Sequence, residues 1–225
     1  DAVRYLIGYL PQEFGALRML KVEEVLDTLM SLSGSGNKAH QRARIQEILE
    51  KVGLSSVASR KVGSLSGGML RRLGVAQALV HDPLIIIMDE PTTGLDPEER
   101  LRFRQLMVDL SVDRCILLST HIIADLGSSC SRLLLISNGQ LQFNDSPATL
   151  IAAAQNKIRE ITYENSAGNT FLPPENFEVV TSFNKGNKTV IRGLMKDGTD
   201  LMDSEVAKNI SLEEAYLAFC NNSSI

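Results

Sequence analysis

Two adjacent carboxylates, Asp89 and Glu90, follow the continuous apolar run Leu84-Ile85-Ile86-Ile87-Met88. A short run of that kind, without alternation, predicts a central parallel strand covered on both faces. Open α/β sheets place their ligands beyond the C-terminal ends of such strands. An aspartate there can hold a magnesium ion directly or through water, and a neighbouring glutamate can orient or deprotonate a water. If extended geometry persists, the two side chains point to opposite sides of the strand end, which suits a division of labour. Taken alone, the pair is equally compatible with solvated carboxylates at a strand end.

Upstream, Leu65-Ser66-Gly67-Gly68-Met69 sets a good N-cap residue and two glycines directly before an amphipathic segment. Met69, Leu73, Ala76 and Val80 share one helix face, and Asp82-Pro83 ends the helix. Free amides at such an N-terminus suit a phosphate, although Ser-Gly-Gly by itself also reads as a capped core helix. Downstream, Thr92-Thr93-Gly94-Leu95-Asp96-Pro97-Glu98-Glu99 makes a turn and restarts a helix. Asp96 is a natural N-cap, Pro97 suits the first helical position, and Glu99 completes a capping-box pattern.

Together these pieces resemble the signature motif (Leu65, Ser66, Gly67, Gly68, Met69), Walker B and D-loop (Gly94, Leu95, Asp96) of an ATP-binding cassette (ABC) ATPase. Gln12 in GYLPQEFG resembles that family's Q-loop, and His121 in LLSTH its switch histidine. Five motifs occur in the family's order, and the similarity continues to about Leu150. The flanking text, GLDPEERLRF and ILLSTHI, is most like bacterial exporters of the multidrug and antibiotic-resistance kind. One departure sits inside the signature helix. The family commonly has a basic or polar residue and then a glutamine after LSGG-x, where Leu70 and Arg71 stand; Arg72 matches the usual arginine.

The resemblance implies an α/β P-loop NTPase (RecA-like) core with the ABC helical subdomain at about 14–82. It implies ATP and Mg2+ as cofactors, with Asp89 and Gln12 serving the metal, Glu90 polarising the attacking water and His121 steadying the γ-phosphate. Ser66, Gly67 and Gly68 would close over nucleotide held by a second ATPase subunit, as a homo- or heterodimer. Transmembrane permease subunits would dock in the helical subdomain and hold the protein peripherally at the cytoplasmic face of the membrane. The family's P-loop precedes the Q-loop, whereas only eleven residues precede Gln12. The chain therefore reads as an N-terminally truncated piece, expected to bind ATP weakly and not to turn it over by itself. Two other functions stay open: a non-transport soluble ABC ATPase, or a non-catalytic interaction module should the chain be complete.

Other elements must position these residues. Val3–Leu10 reads as a strand broken by Pro11 before Gln12. Val22, Val25, Leu26, Leu29 and Met30 make one amphipathic helix; Ile45, Ile48, Leu49 and Val52 make a second, ended by Gly53. Phe103, Leu106, Met107 and Leu110 form the buried face of the helix begun at Pro97, and Cys115–Ser119 reads as a strand ending at Thr120-His121. Asn138-Gly139 is a strong two-residue hairpin signal, and Ser146-Pro147 caps a helix ending near Ala154.

Composition bounds the rest. The 225 residues suffice for one α/β domain (1–154) and a small α+β C-terminal appendage (155–225), built of strands at Lys157–Glu164, Phe177–Phe183 and Lys188–Arg192 and a helix at Ser211–Cys220. Turns are expected at 165–168 and 185–187. A formal charge of −4 carries no basic footprint for nucleic acid. No apolar run approaches the roughly 18 residues of a spanning helix. Cys115, Cys130 and Cys220 lack metal-binding spacing, and with no signal peptide visible a reduced cytoplasmic setting is the simplest reading.

Overall fold

A computed structural model describes residues 2–34, 37–126, 130–164, 173–195 and 204–222. By packing, the chain divides into two compact units, Asp1–Asp125 and Leu126–Ile225.

The first unit is built on a parallel three-stranded sheet in the order β1 (Ile7–Leu10), β2 (Ile85–Asp89), β3 (Cys115–Ser119). Register pairs Leu10 with Met88 and Met88 with Leu118, so the three C-terminal ends lie side by side. The first strand is shorter than the sequence suggests: Ala2–Leu6 is a 3-10 helix. The reason lies in its neighbour. Pro83 has no N–H and Asp82 adopts φ +55°, so the ladder's last bond upstream is Leu84 N–H to the Leu6 carbonyl at 3.1 Å.

Four helices of eleven or more residues accompany the sheet: α1 (Val22–Leu32), α2 (Lys38–Lys51), α3 (Gly67–Ala78) and α4 (Pro97–Leu110). The stripes of α1, α2 and α4 form where the spacing puts them, whereas α3 ends at Ala78, before Val80, because the chain begins to turn there toward left-handed Asp82. Val22, Val25, Leu26 and Met30, then Ile45, Ile48 and Leu49, then Phe103, Leu106, Met107 and Leu110, are all buried in one cluster with Leu10, Ile86 and Met88. Gly53, at φ +66°, follows α2 and receives no β-carbon strain in a left-handed position. Helix α3 lies close on β1, because a Cβ at Gly74 would collide with the Leu10 and Phe14 side chains. The buried sheet residues Leu10, Ile86 and Met88 share one face, on which α3 packs at β1, while α1 packs on α2 and α3. Cover on both faces of β2 is therefore not what the chain shows: Tyr9, Ile85 and Leu117 on the second face are exposed.

The second unit opens with a hairpin, β4 (Leu133–Ser137) and β5 (Gln140–Asp145), turning at Asn138 and Gly139, both left-handed. Helix α6 (Pro147–Ala154) follows, its first turn capped by Ser146 Oγ, which accepts from Thr149 N–H at 3.1 Å. An antiparallel sheet then runs in the order β7-β8-β6-β9, from β6 (Ile158–Glu164), β7 (Phe177–Lys185), β8 (Lys188–Met195) and β9 (Glu205–Val206). Helix α7 (Leu212–Asn222) closes the chain, and buried Glu214 binds Arg192 of β8 at 3.2 Å. The turn expected at 165–168 lies outside the described residues. By packing, the hairpin and α6 sit in the second unit, upstream of the domain boundary that the sequence suggested at 154.

Candidate active site

The C-terminal ends of β2 and β3 bring the chemistry together. Asp89 ends β2 opposite Ser119, whose Oγ donates to Asp89 Oδ1 at 2.6 Å. The next residue does not continue the strand. Glu90 turns into the left-handed region at φ +45°, with its N–H bonded to the Ser119 carbonyl at 3.1 Å. The opposite-sided arrangement expected of an extended pair is thereby lost: both carboxylates reach residues at the end of β3. Glu90 Oε1 lies 2.9 Å from His121 Nδ1, and Glu90 Oε2 accepts from Thr93 Oγ1 at 3.2 Å. His121 is 69% exposed, while the Glu90 side chain is largely covered. The result is a held carboxylate with an accessible imidazole on one oxygen, suited to polarising a water above the strand ends.

Residues Thr92–Asp96 complete the surround. Buried Thr92 donates from Oγ1 to Asp125 Oδ2 at 2.5 Å, tying the loop after β2 to α5 (Ile123–Leu126), just beyond His121. Gly94 takes φ +76°, Leu95 is buried, and Asp96 Oδ1 accepts from Glu99 N–H at 2.9 Å, as a cap should. Glu99 does not return the favour. Its carboxylate instead pairs with Arg102 at 3.0 Å and Arg72 at 3.5 Å, and occupies the space above Gly68 that a Cβ would need.

Ser66 caps α3, its Oγ accepting from Met69 N–H at 3.2 Å. Leu65 and Met69 pack partly buried on the core, and the space about Gly67 is open. Among the described residues, no hydrogen bond links this N-terminus to Asp89, Glu90 or His121. The signature and strand-end residues are thus separate groups within one chain.

Gln12 enters through its main chain. Its side chain is exposed, but its carbonyl accepts from Arg71 Nη1 at 2.7 Å, and the same nitrogen bonds the Pro11 carbonyl at 3.1 Å. Arg71 Nη2 donates to the Glu90 carbonyl at 3.1 Å. Burial, without an anionic partner, lowers the pKa of this guanidinium. Arg71 reads in the sequence only as a departure from a motif. A usable signal was nevertheless there: it lies three residues after Gly68 and four before Val75, on a stripe of α3 that is otherwise apolar or glycine. Ser119, Thr92, Thr93 and Asp125 gave no such signal.

Among the described residues no group of three or more His, Cys, Asp or Glu could hold a metal. Magnesium asks for less than that, since it keeps several waters and takes one or two carboxylates beside substrate phosphates. The oxygen donors of Asp89 and the Gln12 amide fit such a role, as a partial set.

Residues 1–93 match the family model described as ABC transporter. The chain is similar to the uncharacterized ABC transporter ATP-binding protein YxlF of Bacillus subtilis, 39% identical over 140 residues, covering 62% of this chain and 47% of that protein. Over residues 1–93 the chain is thus similar to the ABC transporter family. It also resembles Nod factor export ATP-binding protein I of Burkholderia pseudomallei, 45% identical over 120 residues, or 52% of this chain and 40% of that one. Among solved structures, cbiO1 from Clostridium perfringens, part of the ABC transporter complex cbiONQ, matches with a TM-score of 0.60 at 24% identity. That match covers 67% of this chain and 61% of cbiO1, and it shows a shared α/β fold. The chain spans less than half the length of the curated relatives named here.

Proposed function

We propose that this chain is part of the ATP-binding and ATP-hydrolysing subunit of an ABC exporter. In this reading Glu90 polarises the attacking water and His121 steadies both Glu90 and the γ-phosphate. Asp89 and the Gln12 side chain serve Mg2+, which supplies charge neutralisation at the phosphates when bound. Leu65, Ser66, Gly67, Gly68 and Met69 meet nucleotide on a second ATPase subunit, and Gly94, Leu95 and Asp96 line the approach between the two. The observation that carries it is the Glu90 carboxylate, held at a parallel strand end by His121 at 2.9 Å and Thr93 at 3.2 Å. Phosphoryl transfer asks mainly for positioning and charge, and this arrangement offers both.

The partners follow from the family. Permease subunits would engage the segment of α1 and α2 beside Gln12 and place the protein at the cytoplasmic face of a membrane. No described helix is long and apolar enough to cross one itself. The ATPase domain would run to about residue 154, with 155–225 as an appendage. Phosphate release by the full-length protein tests the proposal. The expected result is magnesium-dependent hydrolysis of ATP that Glu90→Gln removes. Hydrolysis that persists in Glu90→Gln overturns the assignment.

A further inference from the structure

Arg71 is 9% exposed and makes all three of its hydrogen bonds to main-chain carbonyl oxygens. Two belong to the loop after β1, at Pro11 and Gln12, and the third to Glu90 after β2. Among the described residues no carboxylate pairs with it. A buried guanidinium without a counter-ion is costly unless its donors are met, and here backbone carbonyls alone meet them. Surface placement would avoid the cost. The side chain is instead threaded from the second turn of α3 to a point where three segments converge: the signature helix, the loop carrying Gln12, and the residue following Asp89.

The converging bonds act on a residue that needs holding. Glu90 is left-handed, a conformation that an L-residue keeps only when its surroundings over-determine it. Ser119 fixes its N–H, and Thr93 and His121 fix its carboxylate; its carbonyl accepts from both Thr93 N–H and Arg71, and Arg71 is the group that joins it to the Gln12 loop. Displacing residues 11–12 must therefore either break two charge-assisted bonds or carry the guanidinium along, and the guanidinium also holds Glu90. A planar fork can bond two separate backbones at once. A lysine ammonium keeps the charge but loses that geometry.

We propose that Arg71 is a positioning residue that locks the Gln12 loop to Glu90, so that the hydrolytic geometry depends on where that loop sits. This rests on the reading of Glu90 as the hydrolytic carboxylate. The test is a double-substitution cycle in the full-length protein with Arg71→Lys, Glu90→Gln and the two combined. Arg71→Lys is expected to lower kcat for ATP by about tenfold or more while KM stays within about threefold, since small misplacements of a catalytic group slow chemistry more than binding. The combined variant is expected to be no slower than Glu90→Gln alone, because Arg71 acts through Glu90. A parental kcat in Arg71→Lys, or slowing by the full Arg71 factor on top of Glu90→Gln, overturns the lock. Parental hydrolysis by Glu90→Gln overturns the underlying assignment, which separates the two failures. Amide hydrogen exchange provides a second readout without hydrolysis. In Arg71→Lys the N–H groups of Glu90, Thr93 and Leu95 should exchange faster, with α1 and α2 unchanged. Uniform acceleration, or none, refutes the lock.

Discussion

At Glu90 the backbone stands at φ +45°, and single residues held in such a conformation cost on the order of 1–3 kcal/mol. Glycine would adopt it freely, so a glutamate there points to work for its side chain. That side chain is satisfied on both oxygens, by His121 at 2.9 Å and Thr93 at 3.2 Å, while Asp89 is held on one, by Ser119 at 2.6 Å. The two acids therefore differ in what they can accept. Glu90→Gln keeps the shape and the Thr93 bond but removes the charge that polarises water. Loss of a positioned acid or base slows a reaction about a hundred- to ten-thousand-fold. In the full-length protein Glu90→Gln should retain ATP affinity, slow phosphate release by at least about the lower of those factors, and accumulate an ATP-bound dimer. Asp89→Asn should instead weaken magnesium-dependent nucleotide binding, read by titration with and without the metal. Equal effects of both variants on binding would erase the division of labour.

Between α3 and β2 the chain reverses at Asp82, left-handed at φ +55°, and two arginines converge on its Oδ1: Arg44 of α2 and Arg114 beside β3, each at 2.7 Å. The hydrogen bond from Arg114, helped by the charge of Arg44, lowers the Asp82 pKa. A carboxyl with a depressed folded-state pKa adds stability above its unfolded value, near 3.9, and loses it as pH falls through the folded value. Asp82→Asn keeps the turn, since asparagine tolerates that conformation, but drops the charge. Its cost should be about 1 kcal/mol or less at pH 7, because Asp82 is largely exposed, and should shrink toward zero as pH falls below about 4. Urea unfolding of parent and variant at the two pH values measures it, and a gap that widens in acid contradicts it. The same turn explains what could be read in advance. Helices α1, α2 and α4 were legible because caps and i, i+3, i+4 stripes are local signals. The 3-10 start at Ala2–Leu6 was not, since it depends on a ladder that Pro83 interrupts. Arg71 reads as a motif mismatch because its carbonyl partners lie 19, 59 and 60 residues away. Five motifs in order singled out Asp89, Glu90 and His121, which the fold brings together at the strand ends; the left-handed Glu90 and the Arg71 bonds behind it are long-range consequences of packing.

For the whole molecule the open question is what faces Gly67. An ideal Cβ built there meets nothing within 4 Å, whereas one at Gly68 would run into the Glu99 carboxylate. The two signature glycines thus serve different ends: Gly68 makes room within the chain, and Gly67 leaves the helix end open. Substitution at Gly68 would fail for a local reason, by displacing Glu99 from Arg72 and Arg102. Substitution at Gly67 is the clean experiment. The first turn of α3 carries no acidic residue, and an aspartate there interacts favourably with the helix dipole, by about 0.3–1 kcal/mol. Gly67→Asp should therefore fold with an unchanged or slightly higher Tm and should bind nucleotide as a monomer like the parent. If α3 closes over the γ-phosphate held by a second ATPase subunit, the new carboxylate meets phosphate at the seam, and turnover should be lost together with ATP-dependent dimerisation. Thermal unfolding, nucleotide titration, phosphate release and light scattering on the full-length variant separate these effects. Parental hydrolysis with a normal ATP-driven dimer would sink the head-to-tail site, because no arrangement that seats phosphate on those amides can accept a carboxylate in the same place.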